Sequence, residues 1–156
     1  MTIEKLLDRG EEFARMMMGD EGMVPSAIHF MYRKNGDPNA FGLIGYEAPR
    51  HQPQRRQLAL AIGQQIRAMG ATAYAVVNEV WYADHDPNED DPRPPSQCDD
   101  RREGVFITAY DSRGRHVVRM FSTDRTKNPI RLSRVYGLGD KLFDNTYAGL
   151  LSEGAV

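Results

Sequence analysis

The run from Ala73 to Ala83 constrains the fold of this chain more than any other segment. It is rich in the β-branched and aromatic residues that favour strands, namely Val76, Val77, Val80, Trp81 and Tyr82. Apolar side chains occupy both of its alternating faces, a pattern typical of strands that are buried on both sides. The run is therefore predicted to be the central strand of a sheet.

Two amphipathic helices are predicted on the N-terminal side of this strand. The first covers residues 3–18, and its apolar stripe consists of Ile3, Leu6, Leu7, Phe13, Ala14 and Met17. The second covers roughly residues 53–69, and its stripe consists of Leu58, Ile62, Ile66 and Met69. Gly70 follows the second stripe directly, where a glycine commonly ends a helix.

Four further strands and a last short helix complete the predicted order. The strands cover residues 26–34, 40–47, 105–110 and 116–122, and the helix covers residues 140–152. The turn formers of Asn35–Asn39 predict a hairpin with a longer loop between the first two of these strands. Asp111–Gly114 predicts a second hairpin, in which Gly114 takes a positive φ.

This order predicts the α+β fold class, with one mixed sheet of about five strands. A hairpin, a crossover helix, a strand and a second hairpin would build the sheet. The second and third strands would lie parallel, because a right-handed helical crossover joins them. Helices are expected mainly on one face, with the N-terminal helix on the same face as the crossover helix or capping an edge. The length of 156 residues suits a single domain over 1–156.

Composition excludes several classes of protein. An apolar content of 40% and a net charge of −2 exclude a disordered polyelectrolyte, and a single Cys excludes an internal disulfide or a multi-cysteine zinc site. No apolar run approaches the roughly 20 residues of a transmembrane helix. The N-terminus lacks the basic and then apolar order of a signal peptide. We therefore expect a cytoplasmic protein, or one in a particle assembled in the cytoplasm.

Charge is distributed unevenly over residues 84–134. Asp84–Asp100 has seven acidic residues against one arginine, a net charge of −6. Arg101–Arg134 has nine basic and three acidic residues, a net charge of +6. A long acidic, proline-rich loop is predicted at about 84–103, and loops of this length in small domains are usually functional or disordered.

The acidic loop contains a candidate metal site. Asp84, Asp86, Asn88 and Asp90 occupy alternate positions, as the first ligands of a calcium loop do. Glu89 and Pro95 depart from that pattern, because they stand where the turn needs Gly and where the bidentate Glu belongs. We expect a solvated loop that binds no cofactor, and the alternative is a loop that binds Ca²⁺ or Mg²⁺.

The basic stretch and the central strand supply candidate interaction residues: Arg113, Arg115, Arg119, Arg125, Trp81 and Tyr110. Basic residues interleaved with aromatic ones on strands can track a phosphate backbone and stack on bases. The sequence pI of about 6.1 is far below that of a dedicated nucleic-acid binder, which favours a solvated sheet face. Glu79 is either a general acid or base in apolar surroundings or, as we favour, the partner of an arginine such as Arg119 in a cross-strand ion pair.

Three segments carry a resemblance to a known group: Ala68–Ala71, Asn78–Trp81 and Asp100–Gly104. From about residue 25 to 125 the chain resembles small uncharacterised bacterial and phage-associated proteins. The resemblance implies the α+β layout. The group has no assigned activity, so it implies no functional residue.

The leading functional hypothesis is a non-enzymatic interaction or accessory module of bacterial or phage origin. It would bind another protein, or a second copy of itself, through the charged 84–134 region; nucleic acid and membranes are not the expected partners. The first alternative is a small metal-dependent hydrolase that uses the acidic 84–90 loop, with Glu79 or His85 as base. The second alternative is a weak nucleic-acid binder that uses the basic 113–134 face.

Overall fold

The computed structural model describes residues 2–47, 49, 51–84, 97–136 and 141–142. Two helices and seven strands lie in these residues, in the following order. They are α1 (Thr2–Glu21), β1 (Ala27–Lys34), β2 (Asp37–Gly45), α2 (Gln52–Ala68), β3 (Ala71–Asp84), β4 (Arg102–Asp111), β5 (His116–Asp124), β6 (Arg131–Val135) and β7 (Lys141–Leu142). The α+β fold class with a single main sheet is confirmed.

The sheet has the strand order β2-β1-β3-β4-β5-β6, and β7 pairs separately with the end of β3. Every strand pair that the structure describes is antiparallel, so the sheet differs from the mixed sheet that the sequence predicts. The third strand pairs with β1 instead of β2, because α2 carries the chain past both strands of the first hairpin. β2 and β3 therefore run in the same direction with β1 between them.

The structure corrects the predicted strand count and the start of the predicted C-terminal helix. The sequence missed β6, so the main sheet has six strands rather than five. Lys141 and Leu142 form β7, although the sequence predicts a helix over 140–152. The other residues of that predicted helix lie outside the described residues.

The two helices pack on opposite faces of the sheet, which corrects the expectation of one shared face. Alternation along β3 assigns the faces: Ala73, Ala75 and Val77 join the core beneath α1, and Tyr74 and Val76 join the core beneath α2. From α1 that first core receives Ile3, Leu6, Leu7, Ala14 and Met18. From α2 the second core receives Ala59, Ile62 and Ile66. Apolar residues on both faces of β3 are thus explained by a helix on each side.

Gly10 lets α1 approach the sheet closely. A Cβ added to Gly10 of α1 would lie 3.0 Å from a methyl group of Ile107 and 3.1 Å from one of Val77. A larger residue at position 10 would push the helix off β3 and β4, because cores are close-packed. Glycine at position 10 therefore allows α1 to pack directly against β3 and β4.

Turn residues define both hairpins. Asn35 and Gly36 have φ values of 51° and 84°, so β1 and β2 are joined by a two-residue turn rather than by the longer predicted loop. Gly114 has a φ of 82°, which confirms the predicted positive φ in the turn between β4 and β5. Within the described part of the chain, neither helix is long and apolar enough to cross a membrane.

Candidate interaction surface

Of the four predicted metal ligands, only Asp84 falls among the described residues. Asp84 is the last residue of β3, whereas Asp86, Asn88 and Asp90 lie outside the described residues. Among the residues that are described, no group of three or more His, Cys, Asp or Glu side chains could hold a metal ion. The proposed Ca²⁺ or Mg²⁺ site stays a prediction.

Arg113 and Arg115 lie in the turn between β4 and β5, where Asp111 organises the backbone. Asp111 Oδ1 accepts hydrogen bonds from the backbone N–H groups of Arg113 and Arg115, both at 3.0 Å. The Arg115 Nε donates to Asp111 Oδ2, also at 3.0 Å. Desolvation opposes ionisation of this carboxyl, but these hydrogen bonds and the Arg115 charge outweigh it and lower the pKa of Asp111. Arg115 therefore stabilises a turn.

Arg119 is held between β5 and α1. Its Nη1 donates to Asp8 Oδ1 at 2.9 Å and to Glu11 Oε1 at 3.0 Å, and its side chain is only 15% exposed. The predicted pair with Glu79 is wrong, because Ile107 lies opposite Arg119 in the strand register and Val105 lies opposite Glu79. Arg119 thus anchors α1 on the sheet.

Tyr110 is a core residue. It is 6% exposed, and its ring stacks on the ring of Tyr74 with centroids 4.9 Å apart. Both rings belong to the core beneath α2. The structure therefore removes Tyr110 from the exposed interaction residues that the sequence predicts.

Arg125 lies beyond the end of β5 and joins three parts of the molecule. Its Nε donates to Glu103 Oε2 at 2.6 Å, and its Nη1 donates to the carbonyl oxygen of Gly22 at 2.9 Å. Glu79 also holds this segment, because its Oε1 accepts a hydrogen bond from Val24 N at 2.6 Å. These contacts fix the chain that leaves α1 over β3 and β4.

Trp81 lies beside this cluster and is 43% exposed. The guanidinium carbon of Arg101 lies 5.0 Å from the centroid of its ring, within the range of a cation–π contact. A cavity of about 250 Å³ opens next to the ring, and it is lined by Glu79, Val80, Trp81, Glu103, Gly104 and Arg125. We call Glu79, Trp81, Arg101, Glu103 and Arg125 the Trp81 surface.

The strand register assembles the Trp81 surface. Trp81 lies opposite Glu103 in the pairing of β3 with β4, and Val80 lies opposite Gly104. Position 104 must be small, because a Cβ there would lie 2.7 Å from the backbone oxygen of Phe121. Sequence reasoning found Trp81 and Arg125 but missed Glu103 and Arg101, whose proximity to Trp81 depends on that register.

Comparison of the chain with known proteins identifies no related protein. No family model matches the chain, and neither a curated protein nor a solved structure matches it.

Proposed function

We propose that this chain is a non-enzymatic interaction module that binds a protein partner through the Trp81 surface. The observation that carries the proposal is a half-exposed Trp81 set among charged side chains that other contacts already hold in place. Tryptophan and arginine are the residue types that most often dominate binding energy at protein interfaces. Side chains that are ordered before binding lose less entropy when the complex forms.

The charges of this surface define the expected partner. The Trp81 ring offers apolar area, and the surface also carries two carboxylates, of Glu79 and Glu103, and two guanidinium groups, of Arg101 and Arg125. A matching partner places an apolar or aromatic side chain on the ring and charged groups of both signs around it. Exposed charges are screened within about 8–10 Å at moderate ionic strength, so salt should weaken the complex.

The nucleic-acid binder and the metal-dependent hydrolase are less well supported than this proposal. Carboxylates hold Arg115 and Arg119, and this lowers the positive potential that a nucleic-acid backbone would meet. The metal-dependent hydrolase depends on residues 84–90, of which only Asp84 is described. The proposal includes a bacterial or phage accessory role, which follows the resemblance over residues 25–125, and a cytoplasmic location, which follows the sequence features.

The test is affinity capture from native lysate at low salt with three tagged chains: wild type, Trp81→Ala and Val117→Ala. Val117 is the matched control, since it is 40% exposed on β5 but lies outside the Trp81 surface. Loss of a central aromatic anchor costs about 2 kcal/mol or more, which is about thirtyfold or more in affinity. We expect one protein that wild type and Val117→Ala capture equally and that Trp81→Ala loses.

Recovery of the same proteins in equal yield by the Trp81→Ala chain would contradict the proposal. Retention of the complex at high salt would contradict the electrostatic part of it. Thermal melting of all three chains serves as the control for folding, because a half-exposed ring contributes little to the core.

A further inference from the structure

Among the described strands, β2 forms one edge of the main sheet. It pairs with β1 on one side, and among the described strands no other pairs with it. An edge strand presents unpaired N–H and C=O groups that can pair with another chain, and proteins commonly protect such edges with charges, proline, bulges or short strands. The chain protects its two edges differently.

Protection of β2 is confined to the end that carries the hairpin turn. Asp37 Oδ1 accepts a hydrogen bond from the N–H of Asn39 at 2.9 Å, Pro38 has no N–H, and the register with β1 shifts between Tyr32 and Lys34. No proline or charged residue follows over residues 40–45. The opposite edge, β6, is only five residues long and carries Arg131 and Arg134.

Apolar side chains accompany the open backbone of residues 40–45 on both faces. Leu43 is 53% exposed, and Phe41, which shares its face by strand alternation, is half-buried under the guanidinium group of Arg9. Ile44 lies on the other face, where it is half-buried beside the core beneath α2. A strand laid along this edge would cover apolar area on both faces as well as backbone groups.

We propose that β2 pairs antiparallel with β2 of a second copy of this chain, about a two-fold axis at Gly42. That axis places Phe41 opposite the partner's Leu43 on the α1 face, and Ala40 opposite the partner's Ile44 on the α2 face. Each contact occurs twice. The resulting dimer has one continuous sheet.

Three properties favour a second copy over another occupant. The open segment is self-complementary under this axis, because apolar residues meet apolar residues at every one of these positions. Residues 40–44, which face one another under this axis, carry no charge, so no like charges meet among them, and like charges directly opposite would be destabilising across strands. The antiparallel arrangement is also the one that a closed two-fold dimer requires of a strand that pairs with itself.

The interface is small. A strand pairing of this length buries less than the roughly 1,200 Å² of a standard stable interface, so the dimer should form in a concentration-dependent way. This inference does not rest on the Trp81 surface. The proposed axis is on β2, which is separated from β3 by β1. Trp81 lies on the part of β3 beyond Val77, where β3 no longer pairs with β1.

The first test is sedimentation velocity of the full chain over a wide concentration range. Wild type should move from 17.7 kDa toward twice that mass as concentration rises. Leu43→Lys should stay monomeric, because it sets an ammonium group against the partner's Phe41. Val117→Lys is the control, since it places the same charge at a 40% exposed position inside the sheet, and it should dimerise as wild type does.

A wild-type chain that stays monomeric throughout would overturn the proposal, and so would a Leu43→Lys chain that still dimerises. Cysteine cross-linking in a Cys98→Ala background then tests the axis. A mixture of the Ala40→Cys and Ile44→Cys chains should form a disulfide-linked dimer. Cross-linking of either variant with itself instead would contradict a two-fold axis at Gly42.

Discussion

His29 shows how a single buried side chain makes stability depend on pH. It lies on β1 beneath α1, is 8% exposed, and meets the Phe13 ring edge-on at 5.0 Å. Its Nε2 is buried and has no hydrogen-bond partner among the described residues. Desolvation, with a smaller contribution from the Arg9 charge, lowers the pKa of His29 from 6.5 to about 4. The folded chain therefore holds this imidazole neutral.

The sign of the pH effect follows from proton binding. Between about pH 6.5 and pH 4 the unfolded chain binds a proton at His29 and the folded chain does not, so stability falls as the pH falls. The shift corresponds to about 3 kcal/mol of unfolding free energy over that window. His29→Leu should remove this part of the pH dependence, as measured by urea unfolding at pH 7 and pH 4.

His51→Gln is the matched control, because His51 is exposed and its side chain makes no cap hydrogen bond at the start of α2. It should keep the wild-type loss of stability on acidification. If His29→Leu also kept that full loss, the buried neutral imidazole would not be its source.

At the scale of the elements, the first hairpin depends on one glycine beneath an aromatic ring. Phe30 of β1 lies directly opposite Gly42 of β2 and is 2% exposed. A Cβ at position 42 would overlap the Phe30 ring. The ring is confined by the core beneath α2, so it has little room to move.

Gly42→Ala should therefore destabilise the protein by about 1–3 kcal/mol, as overpacking of a filled core does. Gly45→Ala is its control on the same strand, because a Cβ there meets nothing within 4 Å. Thermal melting of the two variants measures the difference. Equal melting temperatures would show that the Phe30 ring does not require glycine at position 42.

For the whole molecule, sequence periodicity predicts most elements but not how they are arranged. The stripes of α1 and α2 and the apolar run of β3 are strong enough to identify each element. The missed strand β6 is five residues long and contains two arginines, too short and polar for a periodic signal. The face that each helix covers depends on the path of the chain through α2, which periodicity does not encode.

The candidate site shows the same division. An exposed aromatic residue and the basic stretch can be recognised in the sequence, so Trp81 and Arg125 were predicted. Tyrosine is common at protein interfaces, but the alternation of side chains along β4 directs Tyr110 into the core beneath α2. Glu103 becomes a neighbour of Trp81 only through the antiparallel register of β3 and β4. Long-range pairing, rather than residue type, selects the members of the surface.

The most direct measurement of the central claim uses the fact that Trp81 is the only tryptophan of the chain. Replacement by 5-fluorotryptophan gives one ¹⁹F resonance that reports on this ring alone, whatever the partner contains. We predict that adding the protein captured by wild type shifts this resonance and reduces its sensitivity to solvent, and that high salt reverses both effects. Confirmed binding of that protein with an unchanged, fully solvent-sensitive resonance would contradict the account.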